Sequence, residues 1–392
     1  MGMFSRKQQA PAAAGPGANV ATHETKHHGK GPLVLPMNKR PSFGQWLKVT
    51  WLDILTMAAM GAVGLGVYEA HPAPSRSFPV YFQDGEIVYP QFAYPLRNEI
   101  VPIWEAALLA SLVPIAAFFI VQIRVRSFWD MNNAVIGLLY SLITAAVFQV
   151  FLKWLIGGLR PHFLTVCKPN IPVTTAQETG NGLNFIMYDR KICTGDEDEI
   201  DDSLESFPSG HSTAAFAGFI FLYLYLNAKL KVWSNYHPAM WKLIVTYAPV
   251  LGATLIAGAL TIDEYHNWYD CLAGAIIGTV MAFSSYRMVY ASIWDWRTNH
   301  IPLNRSTPFP GTGADLEDAT FTRKAGWGTE GYSDSGFGAY GRGYGHGHGH
   351  GMGQGEDIRN KEYHNGTGTS GIGRKPVGAG AGHFNGDAAH MV

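Results

Sequence analysis

Between about residues 43 and 297 the chain alternates long apolar stretches with short polar joints. Six stretches of mainly apolar residues fall near 47–69, 101–123, 133–156, 211–228, 243–262 and 271–293. At roughly 20 residues, each is long enough to cross the hydrocarbon core of a bilayer. An amphipathic soluble helix turns a polar residue outward every three or four positions, and these stretches do not. The fourth is the shortest and starts at a polar motif, yet residues 216–226 are almost wholly apolar or aromatic. Backbone groups inside lipid must be satisfied within the segment, so all six are predicted as helices. The expected fold class is an all-α membrane protein, a six-transmembrane helix bundle over 43–297, with disordered tails over 1–42 and 298–392.

The joints orient the bundle. Lys39, Arg40 and Lys48 precede the first stretch, Arg124 and Arg126 join the second and third, and Lys229, Lys231 and Lys242 join the fourth and fifth. Arg287, Arg297 and Arg305 close the sixth, whereas the opposite joints carry acid, notably at 196–199, Asp201 and Asp202. By the bias of Lys and Arg toward cytoplasmic loops, both termini of this multi-pass protein are expected in the cytosol and the other face outside or in a lumen.

Composition adds exclusions. The mean hydropathy of +0.01 averages an apolar middle with polar, Gly-rich ends. A net charge of −1, with no basic stripe interleaved with aromatics, excludes nucleic acid as a partner class. Residues up to 42 lack the apolar core of a signal peptide. The first residues place Ser5 one position too early for a myristoylation pattern. The Gly-rich tail buries too little apolar area to order itself and is a candidate for recruiting a cytosolic partner. Its Gly-His repeat at 345–350 reads as a flexible polar tract rather than a metal site. Cys167, Cys193 and Cys271 are too few for a disulfide scaffold; Cys167 and Cys193 share one non-cytosolic loop, where one bridge and two free thiols are both open readings.

Three polar motifs end apolar stretches on the non-cytosolic side. Ionisable groups at a membrane boundary are costly and mark function. In the first, Lys153 and Arg160 are seven positions apart, two turns of helix, which predicts both on one face with Pro161 ending the helix. Such a pair clamps phosphate oxygens, Arg bidentately and Lys as a point charge; interfacial snorkelling is the plain alternative. The second, Pro208-Ser209-Gly210-His211, opens the fourth stretch. Its turn leaves Ser209 and the first amides at a helix N-terminus, which holds anions; neutral interfacial anchoring is the alternative. In the third, His266 and Asp270 are spaced i, i+4 at the start of the last stretch. The carboxylate can fix the imidazole tautomer and leave the other nitrogen as nucleophile or base, or the two can simply stabilise each other.

In this order, on one membrane side, the motifs resemble those of the type 2 phosphatidic acid phosphatase superfamily, in particular its lipid phosphate phosphatases. Lys-x6-Arg-Pro falls on Lys153, Arg160 and Pro161, Pro-Ser-Gly-His on 208–211, and His-x3-Asp on His266 and Asp270. The resemblance covers about 43–297. It implies a membrane phosphatase acting on lipid phosphomonoesters such as phosphatidate. His266 would be the nucleophile that forms a phosphohistidine, Asp270 its orienting partner and His211 the acid and then the base. Lys153, Arg160, Ser209 and Gly210 would hold the phosphate. No metal-ligand cluster accompanies the motifs, so neither a metal nor another cofactor is expected. A lipid phosphotransferase using the same residues, a lipid-phosphate-binding relative with little activity, and a six-span transporter are the other readings.

One position departs from the family pattern. Its Ser-Arg, counted back from His266, falls on Ala259 and Leu260, and no Arg or Lys occurs between Lys242 and Arg287. The resemblance makes that Arg a third phosphate ligand. Losing one charged hydrogen bond costs roughly 1.5–3 kcal/mol, about ten- to hundredfold in rate if expressed in the transition state, so turnover is expected weakened but not abolished. The acidic loop at 189–205 is read as solvated. The topology carries its own test: the sequons at Asn304 and Asn365 lie on the cytosolic side and should carry no glycan. A glycosidase-sensitive mass shift at either asparagine would overturn the orientation.

Overall fold

The computed structural model describes residues 35, 37, 39–70, 77–82, 85–171, 179–305 and 309. The disorder expected over 1–34 and 310–392, the Gly-His repeat and Asn365 lie outside the described residues. Six long helices are present: α1 (Phe43–Tyr68), α2 (Ile103–Val125), α3 (Phe128–Ile156), α6 (Gly210–Leu230), α7 (Met240–Ile262) and α8 (Trp268–Val289). All six are long and apolar enough to cross a membrane. Two short helices, α4 (Phe163–Cys167) and α5 (Glu197–Ser203), lie between α3 and α6.

The ends of the helices follow from local chemistry that hydropathy does not register. α1 begins at Phe43 rather than near 47 because Ser42 and Gln45 form a reciprocal capping box. α3 begins at Phe128 rather than near 133 because the Ser127 hydroxyl accepts from the Asp130 N–H. α8 begins at Trp268 rather than near 271 because Asn267 and Asp270 form a second capping box.

The fourth stretch, the least convincing by composition, is the axis of the molecule. In α6 89% of the apolar window is buried, against 11% in α1. Helices α2, α3, α7 and α8 surround α6, and α1 packs chiefly on α3. Close approach needs residues without side chains. A Cβ on Gly218 of α6 would meet the Ala110 carbonyl of α2 at 2.1 Å, and one on Gly278 of α8 would meet the Thr213 carbonyl at 2.5 Å.

At the end of the bundle where α6 finishes, a buried ion pair ties four elements together. Lys229 donates to Asp130 at 2.5 Å, and both side chains are fully buried. The same carboxylate accepts from Gln122 at 2.7 Å, Tyr225 at 2.9 Å and Tyr290 at 3.2 Å. Lys229 also donates to the His300 carbonyl at 3.2 Å, Lys231 to Asn299 Oδ1 at 2.7 Å, and Asn133 to the Leu303 carbonyl at 3.0 Å. Thr298, Asn299, His300 and Ile301 are buried, so ordered packing runs past residue 297.

At the opposite end a small cap covers the bundle. Strands β1 (Phe78–Pro79) and β2 (Met187–Tyr188) pair antiparallel. Phe78, Val80, Phe163, Leu164, Ile200 and Leu204 form its apolar centre. A disulfide joins Cys167 to Cys193, and Cys271 is a buried free thiol.

Removing one partner of a buried ion pair strands the other charge and costs about 3–5 kcal/mol. Lys229→Ala should therefore lower the thermal midpoint of the detergent-solubilised protein by several degrees. An unchanged midpoint would show that the pair holds nothing together.

Candidate active site

All three motifs converge at the capped end of the bundle. α3 stops at Ile156, because Gly157 (φ +53°) and Gly158 (φ +129°) take left-handed conformations that turn the chain away. A Cβ on Gly157 would press on the Leu204 carbonyl at 2.7 Å. Arg160 is therefore not on the helix that carries Lys153, contrary to the two-turn expectation. It sits in an extended stretch stitched to the end of α5: Gly158 N–H donates to the Leu204 carbonyl at 2.7 Å, and Arg160 N–H to Ser203 at 2.9 Å. Both cations nevertheless line one cavity.

Pro208 and Ser209 lead into α6. Ser209 is its N-cap, with Oγ accepting from the Ser212 N–H at 3.4 Å. Ser209 is fully buried, whereas Gly210 and His211 line the cavity. Gln149 of α3 braces this turn by donating to the Pro208 carbonyl at 2.9 Å.

His266 lies just before the N-cap of α8 rather than on its first turn. Its N–H donates to the Leu260 carbonyl at 3.0 Å, and its Nδ1 is 3.6 Å from Asp270 Oδ2. That oxygen already accepts from Ser206 Oγ at 2.5 Å and from the Asn267 N–H at 3.0 Å. Asp270 thus faces Nδ1 from slightly beyond hydrogen-bond reach, leaving Nε2 for the cavity. Burial pushes the His266 imidazole down from 6.5 to about 4, against the opposing pull of Asp270 and helped by Arg160 and Lys153.

The cavity holds about 390 Å³. One wall carries Lys153, Arg160, Gly210, His211 and His266; Ile103 and Ala107 of α2 and Ala146 and Val150 of α3 supply an apolar flank. The two imidazole rings are 6.2 Å apart, centroid to centroid. Arg160 is buried, with its guanidinium 4.5 Å over the Tyr265 ring, and its Nε and Nη1 have no hydrogen-bond partner. Two buried, unpartnered guanidinium nitrogens beside a cavity are open positions for an oxyanion. Among the described residues, no group of three or more His, Cys, Asp or Glu side chains is arranged to hold a metal ion.

Sequence reasoning missed the acids of this site. Asp202 meets Arg160 Nη2 at 2.5 Å, and Glu205 meets Lys153 Nζ at 3.3 Å. The loop read as solvated instead neutralises both cations. Glu99, from the joint between α1 and α2, lies 3.5 Å from His211 Nε2. Burial pushes its carboxyl above the ordinary range, with Arg160 opposing. No motif marks these residues; the only available signal was that their loops share a membrane side with the histidines. Leu260 is fully buried at the last turn of α7 and contributes its carbonyl, which accepts from both Tyr265 and His266.

The PAP2 superfamily model matches residues 134–294, a span that includes every residue of the three motifs. Lipid phosphate phosphatase 1 of Arabidopsis thaliana is 33% identical over 54% of this chain and 62% of its own length. Lipid phosphate phosphatase 2 of the same plant is 32% identical over 54% of this chain and 69% of its own. Diacylglycerol pyrophosphate phosphatase 1 of Saccharomyces cerevisiae is 29% identical over 62% of this chain and 80% of its own. The match to the first of these spans less than two thirds of that relative's length. No solved structure matches the chain significantly. With residues from all three motifs lining one cavity, and with an identity of 32% over 69% of a lipid phosphate phosphatase, the chain belongs to the PAP2 superfamily.

Proposed function

We propose that this protein is an integral membrane lipid phosphatase that hydrolyses phosphomonoesters such as phosphatidate through a phosphohistidine, without a metal. The observation that carries the reading is the single cavity in which Lys153, Arg160, His211 and His266 meet at the end of the apolar helices, with two Arg160 nitrogens unpartnered.

The proposed steps use the groups that line this cavity. Phosphate enters beside Arg160 and Lys153, exchanging for Asp202 and Glu205. The Nε2 lone pair of His266 attacks phosphorus, and the bond from phosphorus to the lipid oxygen breaks. His211 passes a proton to that oxygen, releasing a neutral lipid alcohol. Water then attacks phosphorus and gives a proton to His211, the bond to Nε2 breaks, and inorganic phosphate leaves. Charge on the equatorial oxygens is met by Arg160, Lys153 and the amides of Gly210 and His211, whose direction Ser209 sets by capping the helix. Asp270 faces Nδ1 at 3.6 Å and, once the two close to hydrogen-bond distance, fixes the tautomer that keeps Nε2 free to attack. The apolar flank on α2 and α3 suits a substrate whose acyl chains stay in the bilayer.

The site is proposed to face the outside or a lumen, with both termini cytosolic. Supporting this, the Cys167–Cys193 disulfide lies in the cap beside the site, and disulfides persist in oxidising compartments. A second reading, lipid-phosphate binding without turnover, is favoured only by Leu260, an apolar residue where the family places a cation.

Two measurements test the reading. Purified protein in EDTA should release phosphate from a panel of lipid phosphates, and His266→Ala should release none. Turnover that depends on magnesium would sink the metal-free mechanism, and a folded wild type that binds lipid phosphates but releases none would favour the binding reading. The second is pH dependence. Protonation removes the His266 lone pair, so activity should persist below the ordinary histidine value of 6.5 and disappear as pH falls through about 4. An acid limb of kcat/KM near 6.5 would show that Asp270 outweighs burial.

A further inference from the structure

Glu99 belongs to none of the three motifs, yet the fold delivers it into their cavity. The segment at 97–100 is fastened to the loop that carries His266. Arg97 pairs with Glu264 at 3.4 Å and donates to the Ile262 carbonyl at 3.4 Å, while the Ile100 N–H donates to Asp263 Oδ2 at 3.1 Å. This accounts for the two acids that follow the missing arginine: they hold a strap. The strap places Glu99 Oε1 3.5 Å from His211 Nε2, an ion-pair distance from a buried nitrogen that has no hydrogen-bond partner.

The surroundings of His211 make that carboxylate consequential. Lys153 faces it from α3, Arg160 from the stretch after α3, and His266 and Tyr265 from the joint between α7 and α8. Asp202 of α5 is the other acid lining the cavity, and it is engaged by Arg160. A general acid must carry a proton when the substrate arrives. Burial, then His266, Arg160 and Lys153, oppose an imidazolium at His211, so a carboxylate that favours it is needed beside it.

We propose that Glu99 is the positioning residue that keeps a proton on His211, so that the leaving lipid oxygen can be protonated. The Glu99–His211 pair shares one proton. In the first step that proton moves from His211 to the departing oxygen, leaving the pair one proton poorer. In the second step water supplies it back as phosphorus takes the hydroxyl. The proposal rests on the phosphatase reading and assigns a function to the joint between α1 and α2.

Leaving-group chemistry provides the test. An alkoxide needs a proton to depart, whereas p-nitrophenolate leaves without one. Glu99→Gln in the full-length, detergent-purified chain should lower kcat/KM on dioctanoyl phosphatidate about tenfold or more, and change p-nitrophenyl phosphate turnover far less. The alkaline limb of the phosphatidate profile should move to lower pH by about one unit or more, since removing a carboxylate makes the imidazolium easier to deprotonate. Glu99→Asp should recover part of the difference between the two esters. Equal losses on both esters, or an alkaline limb that does not move, would overturn the role and make Glu99 merely structural. A wild type silent on both esters would overturn the phosphatase reading, and this proposal with it.

Discussion

The Ser209 N–H donates to the Asp270 carbonyl at 3.1 Å, and much of the active end hangs on that contact. It joins the start of α6 to the start of α8, and so joins the second motif to the third. Around it, Ser212 Oγ donates to the Cys271 carbonyl at 2.6 Å, and Gln149 of α3 holds the Pro208 carbonyl. Gly274 of α8 leaves room, since a Cβ there would meet the Ser209 carbonyl at 2.6 Å. Residues far apart in the chain are thereby held within one cavity without being on one element. A site built from the ends of helices gains rigidity when those ends are bonded to each other rather than left to loops.

The buried pair of Lys229 and Asp130 does the corresponding work at the other end. Charges taken out of water are a poor source of net stability compared with apolar packing, but they tolerate few alternative arrangements. Asp130 of α3 accepts from α2, α6 and the residue that follows α8, which leaves little freedom in how those helices stack. Both ends of α6 are therefore pinned by polar contacts, while its middle is held by apolar packing and close glycine contacts. α1 touches chiefly α3 and is mostly exposed; it adds Tyr68 to the cavity lining and pairs Asp53 with Arg305 at the other end.

What was legible in the sequence follows the same division. Apolar length reveals a membrane helix, so all six were visible, but caps decide where a helix starts, which is why α1, α3 and α8 began earlier than hydropathy placed them. The motif histidines and cations could be found because their spacing is local. The geometry linking Lys153 to Arg160 was misread: a seven-residue interval resembles two turns of helix, yet Gly157 and Gly158 take positive φ and end α3 first. Glu99, Asp202 and Glu205 were invisible as site residues because nothing local distinguishes a carboxylate that folds back onto a cation from one that faces water. The segment at 298–305 was assigned to the tail for a related reason. It is short and polar, and its burial depends on carbonyls that satisfy Lys229, Lys231 and Asn133.

These acids change how the absent third arginine should be weighed. Counting ligands alone, Leu260 leaves two cations, Lys153 and Arg160, where the family pattern has three. The resting site is neutralised already, since Asp202 occupies Arg160 and Glu205 occupies Lys153. Nε and Nη1 of Arg160 stand open to an anion, whereas reaching Nη2 and the Lys153 ammonium means exchanging carboxylate for phosphate. A third buried cation would itself need a resting partner. Asp263 and Glu264, the nearest acids in sequence, are committed to the strap that holds Glu99. Position 260 instead contributes a carbonyl that fixes the backbone of His266, a role any residue with helical geometry can fill. On the proposed phosphatase reading, the replacement would remove transition-state charge stabilisation and leave the placement of His266 intact, so its effect would belong in the rate of phosphoryl transfer rather than in the assembly of the site.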